Sequence, residues 1–168
     1  MEQTMQRWMM LFVVLLCASS AVVAQAPPAP LPARIFAAKK IFISNASGET
    51  VIGPGVSELT YNGFYAGMKA WGRYELESAP AAADLIFEVR YETPLGPTNS
   101  GNSGQFPEIR LSIFDPKTHV VLWAFCEPLV STRHKSNQEH LDETLANLVN
   151  DVKKLVSQGP VNTSAAAR

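Results

Sequence analysis

The chain has 168 residues, of which 46% are hydrophobic, and 14 Lys and Arg against 15 Asp and Glu give a formal charge of -1. That length suits one domain around one core, and the near-neutral balance supplies no basic field for phosphates, which excludes nucleic acid as an expected partner. Of the 2 cysteines, Cys17 lies in the leader taken next, so Cys126 is left without a mate and an internal disulfide framework is excluded.

Arg7 precedes an apolar run from Trp8 to Leu16, and small residues follow up to Ala24. This is the layout of a secretory signal peptide over residues 1–24, with Val22-Val23-Ala24 ahead of the cut. The run is shorter than the roughly 20 apolar residues that a spanning helix needs. Export to the periplasm or beyond is expected, with Gln25 as the new N-terminus. Cys17 leaves a second reading open, in which a lipoprotein signal acylates that cysteine and anchors the chain to a membrane. Leu16 is bulkier than the residue such signals place before the cysteine. Residues 25–34 hold Pro27, Pro28, Pro30 and Pro32, a composition that favours an extended polyproline spacer. At the other end, Gly159-Pro160 stops a helix and opens a disordered tail over 159–168, leaving a folded domain at 35–158.

Within that domain, residues 40–44 carry apolar side chains on both sides and read as a strand covered on both faces. Residues 45–55 are rich in Gly, Ser and Pro and read as loop. Tyr61, Phe64, Tyr65, Met68 and Trp71 then recur at the helical period, giving a helix over 56–73 with Ser57 as its N-cap. Gly63 and Gly67 cost that helix about 1 kcal/mol each against alanine, which implies a compensating close approach, expected here against the sheet. A short strand at 74–77 and a capped helical turn at 78–83 containing Pro80 follow.

Leu85, Phe87, Val89 and Tyr91 alternate with Ile86, Glu88, Arg90 and Glu92, the two-residue period of a strand with one wetter face. Residues 93–106 read as a long flexible connection. Ile109, Leu111 and Ile113 repeat the alternation, so these two strands are expected to pair antiparallel. Asp115-Pro116-Lys117-Thr118 is turn chemistry. The strand over 120–127 is apolar on both sides and is expected to be the most buried. The last helix opens at Ser136 with Glu139 three residues on, a capping-box spacing, and carries Leu141, Leu145, Leu148, Val152 and Leu155 on one stripe. The expected class is α+β, a mostly antiparallel sheet of about four to five strands packed by helices at about 56–73 and 137–157.

Few residues invite chemistry. Cys126 alternates with Leu122 and Ala124 on an apolar side, where a buried thiol is inert. His119, His134 and His140, even with Asp142 and Glu143 nearby, form no His-x3-His or Cys-x2-Cys pair, so exposed histidines and no metal or cofactor are expected. The glycine-rich stretch 96–104 lacks the lysine of a nucleotide loop and reads as a hairpin tip, and no Gly-x-Ser-x-Gly elbow occurs. Trp71 and Trp123 read as core residues, with anchors for a partner as the other use of such side chains. No catalytic residue is assigned. The candidate interaction surface is Glu88, Arg90 and Glu92 opposite Glu108 and Arg110, a polar sheet face whose cross-strand ion pairs contribute only tenths of a kcal/mol each, on the order of 0.2–1. A small secreted enzyme using Cys126 or a histidine is the alternative.

The order of elements, with residues 40–44, Ala82-Ala83-Asp84-Leu85-Ile86-Phe87-Glu88, and the turn and strand from Asp115 to Phe125, resembles exported bacterial envelope domains. These include the N-terminal domain of the Tol-system translocation protein and the periplasmic domain of the curli secretion channel. The resemblance covers about 39–156. It implies a noncatalytic binding or scaffold module of the cell envelope whose partner is another envelope protein, with membrane contact only through the leader or a lipidated Cys17.

Overall fold

The computed structural model describes residues 31–47, 55–98, 101–129 and 136–159, so the leader, Cys17, His134 and most of the proline-rich stretch lie outside the described residues. A short helix, α1, spans Ala33–Ala37. Its Ile35 is fully buried and its Arg34 pairs with Asp115, so the end of the proline-rich stretch joins the domain. Strand β1 is Lys40–Asn45, helix α2 is Val56–Trp71, and β2 is Glu75–Glu77. A single 3-10 turn, Pro80–Ala82, leads into β3, Leu85–Glu92. Then come β4 at Leu95–Pro97, β5 at Ser103–Gln105, β6 at Glu108–Phe114, β7 at Val121–Pro128, and helix α3 at Asn137–Ser157.

The main sheet has five strands in the order β2-β1-β3-β6-β7. β1 runs parallel to both β2 and β3, while β3, β6 and β7 are antiparallel in turn, so the sheet is mixed. Because side chains alternate across a strand, Ile41, Ile43, Leu85, Phe87, Val89, Ile109, Leu111 and Ile113 all point to one face. There they share a core with Phe64 and Met68 of α2 and Leu145, Leu148 and Val152 of α3. Both long helices therefore cover the same side. The architecture is the expected α+β domain, and no helix among the described residues is long and apolar enough to cross a membrane.

Local chemistry explains the ends of the helices. The capping box of α3 is complete: Glu139 N donates to Ser136 Oγ at 3.3 Å, and Ser136 N donates to Glu139 Oε2 at 2.7 Å. The N-cap of α2 is not Ser57. It is Gly55, whose φ of 95° few other residues tolerate, while Ser57 sits in the first turn and exchanges hydrogen bonds with the Asn45 amide at 3.1 and 3.2 Å. The other end closes at Gly72, φ 67°, whose N–H reaches Met68 O, so the helix stops at Trp71, two residues short of expectation.

Four further expectations are corrected. Gly63 and Gly67 face α3 rather than the sheet, and a Cβ at either would fall within 3.0 Å of a Leu145 or Val149 methyl, at 2.6 and 2.9 Å. Residues 93–106 are not wholly irregular, since β4 and β5 pair antiparallel with Gly96 opposite Gly104 and Thr98 N donates to Asn102 O at 2.7 Å. His140 is buried one helical turn before buried Thr144, on the inward side of α3 rather than in solvent. Finally, β7 is an edge strand and not the most buried one: Val121, Ala124 and Cys126 are exposed, and Leu122, Trp123 and Phe125 are only partly buried against the core. Apolar residues on both sides of a strand mark β-propensity as well as double coverage, and here the helices cover one side alone.

Candidate interaction face of the sheet

The alternation that sends Phe87, Val89, Ile109 and Leu111 into the core sends Glu88, Arg90, Glu92, Glu108 and Arg110 to the opposite face. No described helix lies on that face. The register sets Glu88 opposite Ser112, Arg90 opposite Arg110, and Glu92 opposite Glu108. Like charges directly opposed repel. The side chains relieve this along and across the strands: Arg90 Nη2 reaches Glu88 Oε1 at 3.2 Å, and Arg110 Nη2 reaches Glu108 Oε1 at 2.9 Å. Arg110 Nε meets Glu92 Oε1 at 2.6 Å, the contact that bridges β3 and β6, and Arg90 Nη1 lies 4.0 Å from the same carboxylate group. All five candidate residues therefore form one network. Arg90 and Arg110 remain 45% and 49% exposed, so each pair adds little stability while leaving donors open to a partner.

Cys126 lies beside this network, opposite Arg110 in the β6–β7 register. It is exposed, not core filler as the strand pattern suggested. Desolvation by its strand neighbours, reinforced by the Glu108 carboxylate, pushes its thiol up to about 11. The thiol hydrogen bond and the Arg110 guanidinium hold Glu108 below the usual carboxylate range. The thiol thus stays protonated near neutral pH, which disfavours nucleophilic use by a different route from burial in the core.

A second feature of the face needs the strand order to be seen. Phe42, Ile86 and Phe114 are register partners across β1, β3 and β6, and all are half-buried. Val121 continues the row at the edge and is 50% exposed. On its far side Lys40 pairs with Glu77 at 2.5 Å and Glu75 at 3.5 Å. The face is therefore an apolar row between charged ends. The only sequence signal for it is that Phe42, Ile86 and Phe114 fall out of step with the core alternation.

The remaining residues singled out earlier are scattered. His119 ends the turn after β6 with φ 56° and is exposed, as expected. Asp142 and Glu143 are exposed on α3. Among the described residues no group of three or more His, Cys, Asp or Glu side chains could hold a metal ion. Trp71 and Trp123 are half-buried against the core edge. Asp84, in the small-Asp-apolar segment, serves the backbone: its Oδ2 accepts from Lys39 N at 2.9 Å and Lys40 N at 3.0 Å, and its own N–H donates to Lys40 O at 2.9 Å. These contacts dock the start of β3 on β1 and hold the carboxyl below its usual range.

No family model matches the chain, and no curated protein matches it significantly in sequence. Among solved structures, PelC from Paraburkholderia phytofirmans, solved as a dodecamer, is similar at 14% identity and a TM-score of 0.53, over 73% of this chain and 93% of PelC. Lipoprotein GNA1162 from Neisseria meningitidis aligns at 11% identity and a TM-score of 0.44, over 69% of this chain and 99% of its own. A DUF330 protein from Xanthomonas campestris aligns at 11% identity and 0.48, over 77% and 91%. Neither the Tol-system domain nor the curli channel is among these neighbours. The chain shares its fold with PelC, and at this identity the likeness is one of fold alone.

Proposed function

We propose that the chain is an exported, noncatalytic binding or scaffold module of the cell envelope, which recognises another envelope protein through the open face of its sheet. The observation that carries this reading is the network of Glu88, Arg90, Glu92, Glu108 and Arg110, held together on a sheet face that no described helix covers. Planar guanidinium forks fixed in this way suit carboxylates of a partner, and the adjoining Phe42, Ile86 and Phe114 supply apolar area. The leader over residues 1–24 supports export. PelC, of the same fold, was solved as a dodecamer, so in that protein the fold serves as an assembly unit.

The test has two arms. Fractionation of cells making the full chain, with mass spectrometry of its N-terminus, is expected to find an envelope protein beginning at Gln25. An acylated Cys17 at the N-terminus would establish the lipid-anchored form instead, and a cytosolic chain with its leader intact would end the reading. Crosslinking in the intact envelope is expected to capture a defined partner through the sheet face; crosslinks confined to other surfaces would count against it.

A further inference from the structure

The open face of the sheet is apolar at one end only. Phe42 near the start of β1, Ile86 near the start of β3 and Phe114 at the end of β6 form its row, and Val120 and Val121, 55% and 50% exposed, adjoin it where β7 begins. Farther along the strands the face turns polar, from Ser44, Glu88 and Ser112 to Arg90 and Arg110.

The chain enters the domain at the apolar end. α1 precedes β1, and its Arg34 pairs with Asp115, the residue after Phe114. Ile35 is fully buried and Leu31 packs against the core edge, so the described part of the N-terminal stretch is fixed beside the row. Immediately upstream come Gln25-Ala26-Pro27-Pro28-Ala29-Pro30, outside the described residues. This segment has no charged side chain, and its three prolines lack the N–H groups that a chain laid on a sheet face could not pair with the ladder. Pro27 and Pro30 are three apart, the repeat of a polyproline helix, so both fall on one side of it, as in the proline-rich segments that aromatic-lined surfaces take up. Length agrees as well. Six residues at about 3.1 Å each reach about 19 Å, whereas Phe42 to Phe114 crosses two strand spacings, about 10 Å, and the remainder serves to round the strand ends from Leu31.

The geometry points to residues 25–30 as a strap across this end of the sheet, their proline rings seated on Phe42, Ile86 and Phe114. Beyond Phe42, Lys40 with Glu75 and Glu77 leaves one negative charge in excess, which suits the amino group exposed by a cut before Gln25. The strap covers the apolar row and leaves Arg90 and Arg110 open, so an envelope partner meets the charged network first and gains the apolar area by displacing the prolines. The charge match at Gln25 and this displacement rest on the function proposed above; the seating of the prolines does not.

NMR of the isotope-labelled full chain, expressed with its leader and purified as the cell processes it, is expected to show NOE contacts from the rings of Pro27 and Pro30 to Phe42, Ile86 or Phe114. Pro27→Asp with Pro30→Asp sets two carboxylates on the row and leaves Arg34 and Ile35 in place. That variant is expected to stay folded, lose the contacts and shift the Ile86 methyl signals. Absence of the contacts in wild type, an Ile86 signal identical in the two chains, or contacts found only between differently labelled copies would overturn the strap. Envelope crosslinking through Arg90 and Arg110 is read separately: a partner captured without strap contacts sinks the strap alone, and strap contacts without a captured partner sink the envelope reading alone.

Discussion

Gly67 of α2 and Val149 of α3 meet so closely that a Cβ on the glycine would lie 2.9 Å from Val149 Cγ2. The approach lets the two helices seat together over the sheet, which offsets the propensity that glycine forfeits inside a helix. Alanine at 67 would regain about 1 kcal/mol of helix propensity but overpack a contact whose strain costs about 1–3 kcal/mol. Gly67→Ala is therefore expected to lower the urea midpoint by the equivalent of about 1 kcal/mol. Gly63→Ala is expected to cost less, because its obstacle is the terminal methyl of Leu145, which can turn aside more easily than a β-branched side chain. A Gly67→Ala chain more stable than wild type would show that the helices do not depend on this approach.

Tyr74 carries the one buried side-chain oxygen among the described residues without a hydrogen-bond partner. It packs edge-on against Trp71 and Phe87, and burial pushes its hydroxyl up against ionisation. Removing an unpaired buried polar atom relieves a desolvation cost of about 1 kcal/mol or more, so Tyr74→Phe is expected to raise the thermal midpoint by several degrees, on the order of 4 °C. A fall in midpoint would mean that the hydroxyl has a partner in solution.

Asp84 gives the fold an acid-sensitive joint. Its folded value is depressed below the usual 3.8 by two backbone donors, so its stabilisation is complete above that value and is lost as pH falls through the folded value. Asp84→Ala is expected to lower stability at pH 7 by about 1 kcal/mol, discounted for an exposed carboxylate. The variant should also lose less stability than wild type as pH falls below about 4. Parallel acid profiles for the two chains, followed by tryptophan fluorescence, would contradict this role.

Cys126 is exposed yet held protonated, with its thiol pushed up to about 11. Alkylation of the native chain at pH 7.5 is expected to run at least about tenfold slower than that of an unperturbed thiol near 8.5, and to accelerate as pH rises toward the thiol value. Glu108→Gln removes the adjacent carboxylate and is expected to speed labelling at neutral pH. Rapid labelling of the wild-type chain would instead revive the enzyme reading.

Much of this was legible where local pattern suffices. The capping box at Ser136 and Glu139 and the leucine stripe of α3 place that helix from a few neighbouring residues, and the period-two alternation puts Glu88, Arg90, Glu92, Glu108 and Arg110 on one face of two antiparallel strands, though not in their like-charge register. Position within the sheet was not legible. β1 joins β2 and β3 in parallel across long separations, and β7 looks like a central strand until the order shows that no described strand lies beyond it. The row of Phe42, Ile86 and Phe114 emerges only once three strands are in register, and the bridge from Arg110 to Glu92 depends on side-chain rotamers that opposed like charges do not announce.

The open face is tested most directly by a double charge reversal, Arg90→Glu with Arg110→Glu, in the full chain crosslinked within the intact envelope. The reversal touches exposed pairs, so stability should move by no more than about 1–2 kcal/mol, leaving a folded chain. A partner captured by wild type and lost from the folded double variant is the expected result; an identical set of crosslinked proteins from both chains would mean that the charged face is not the binding surface.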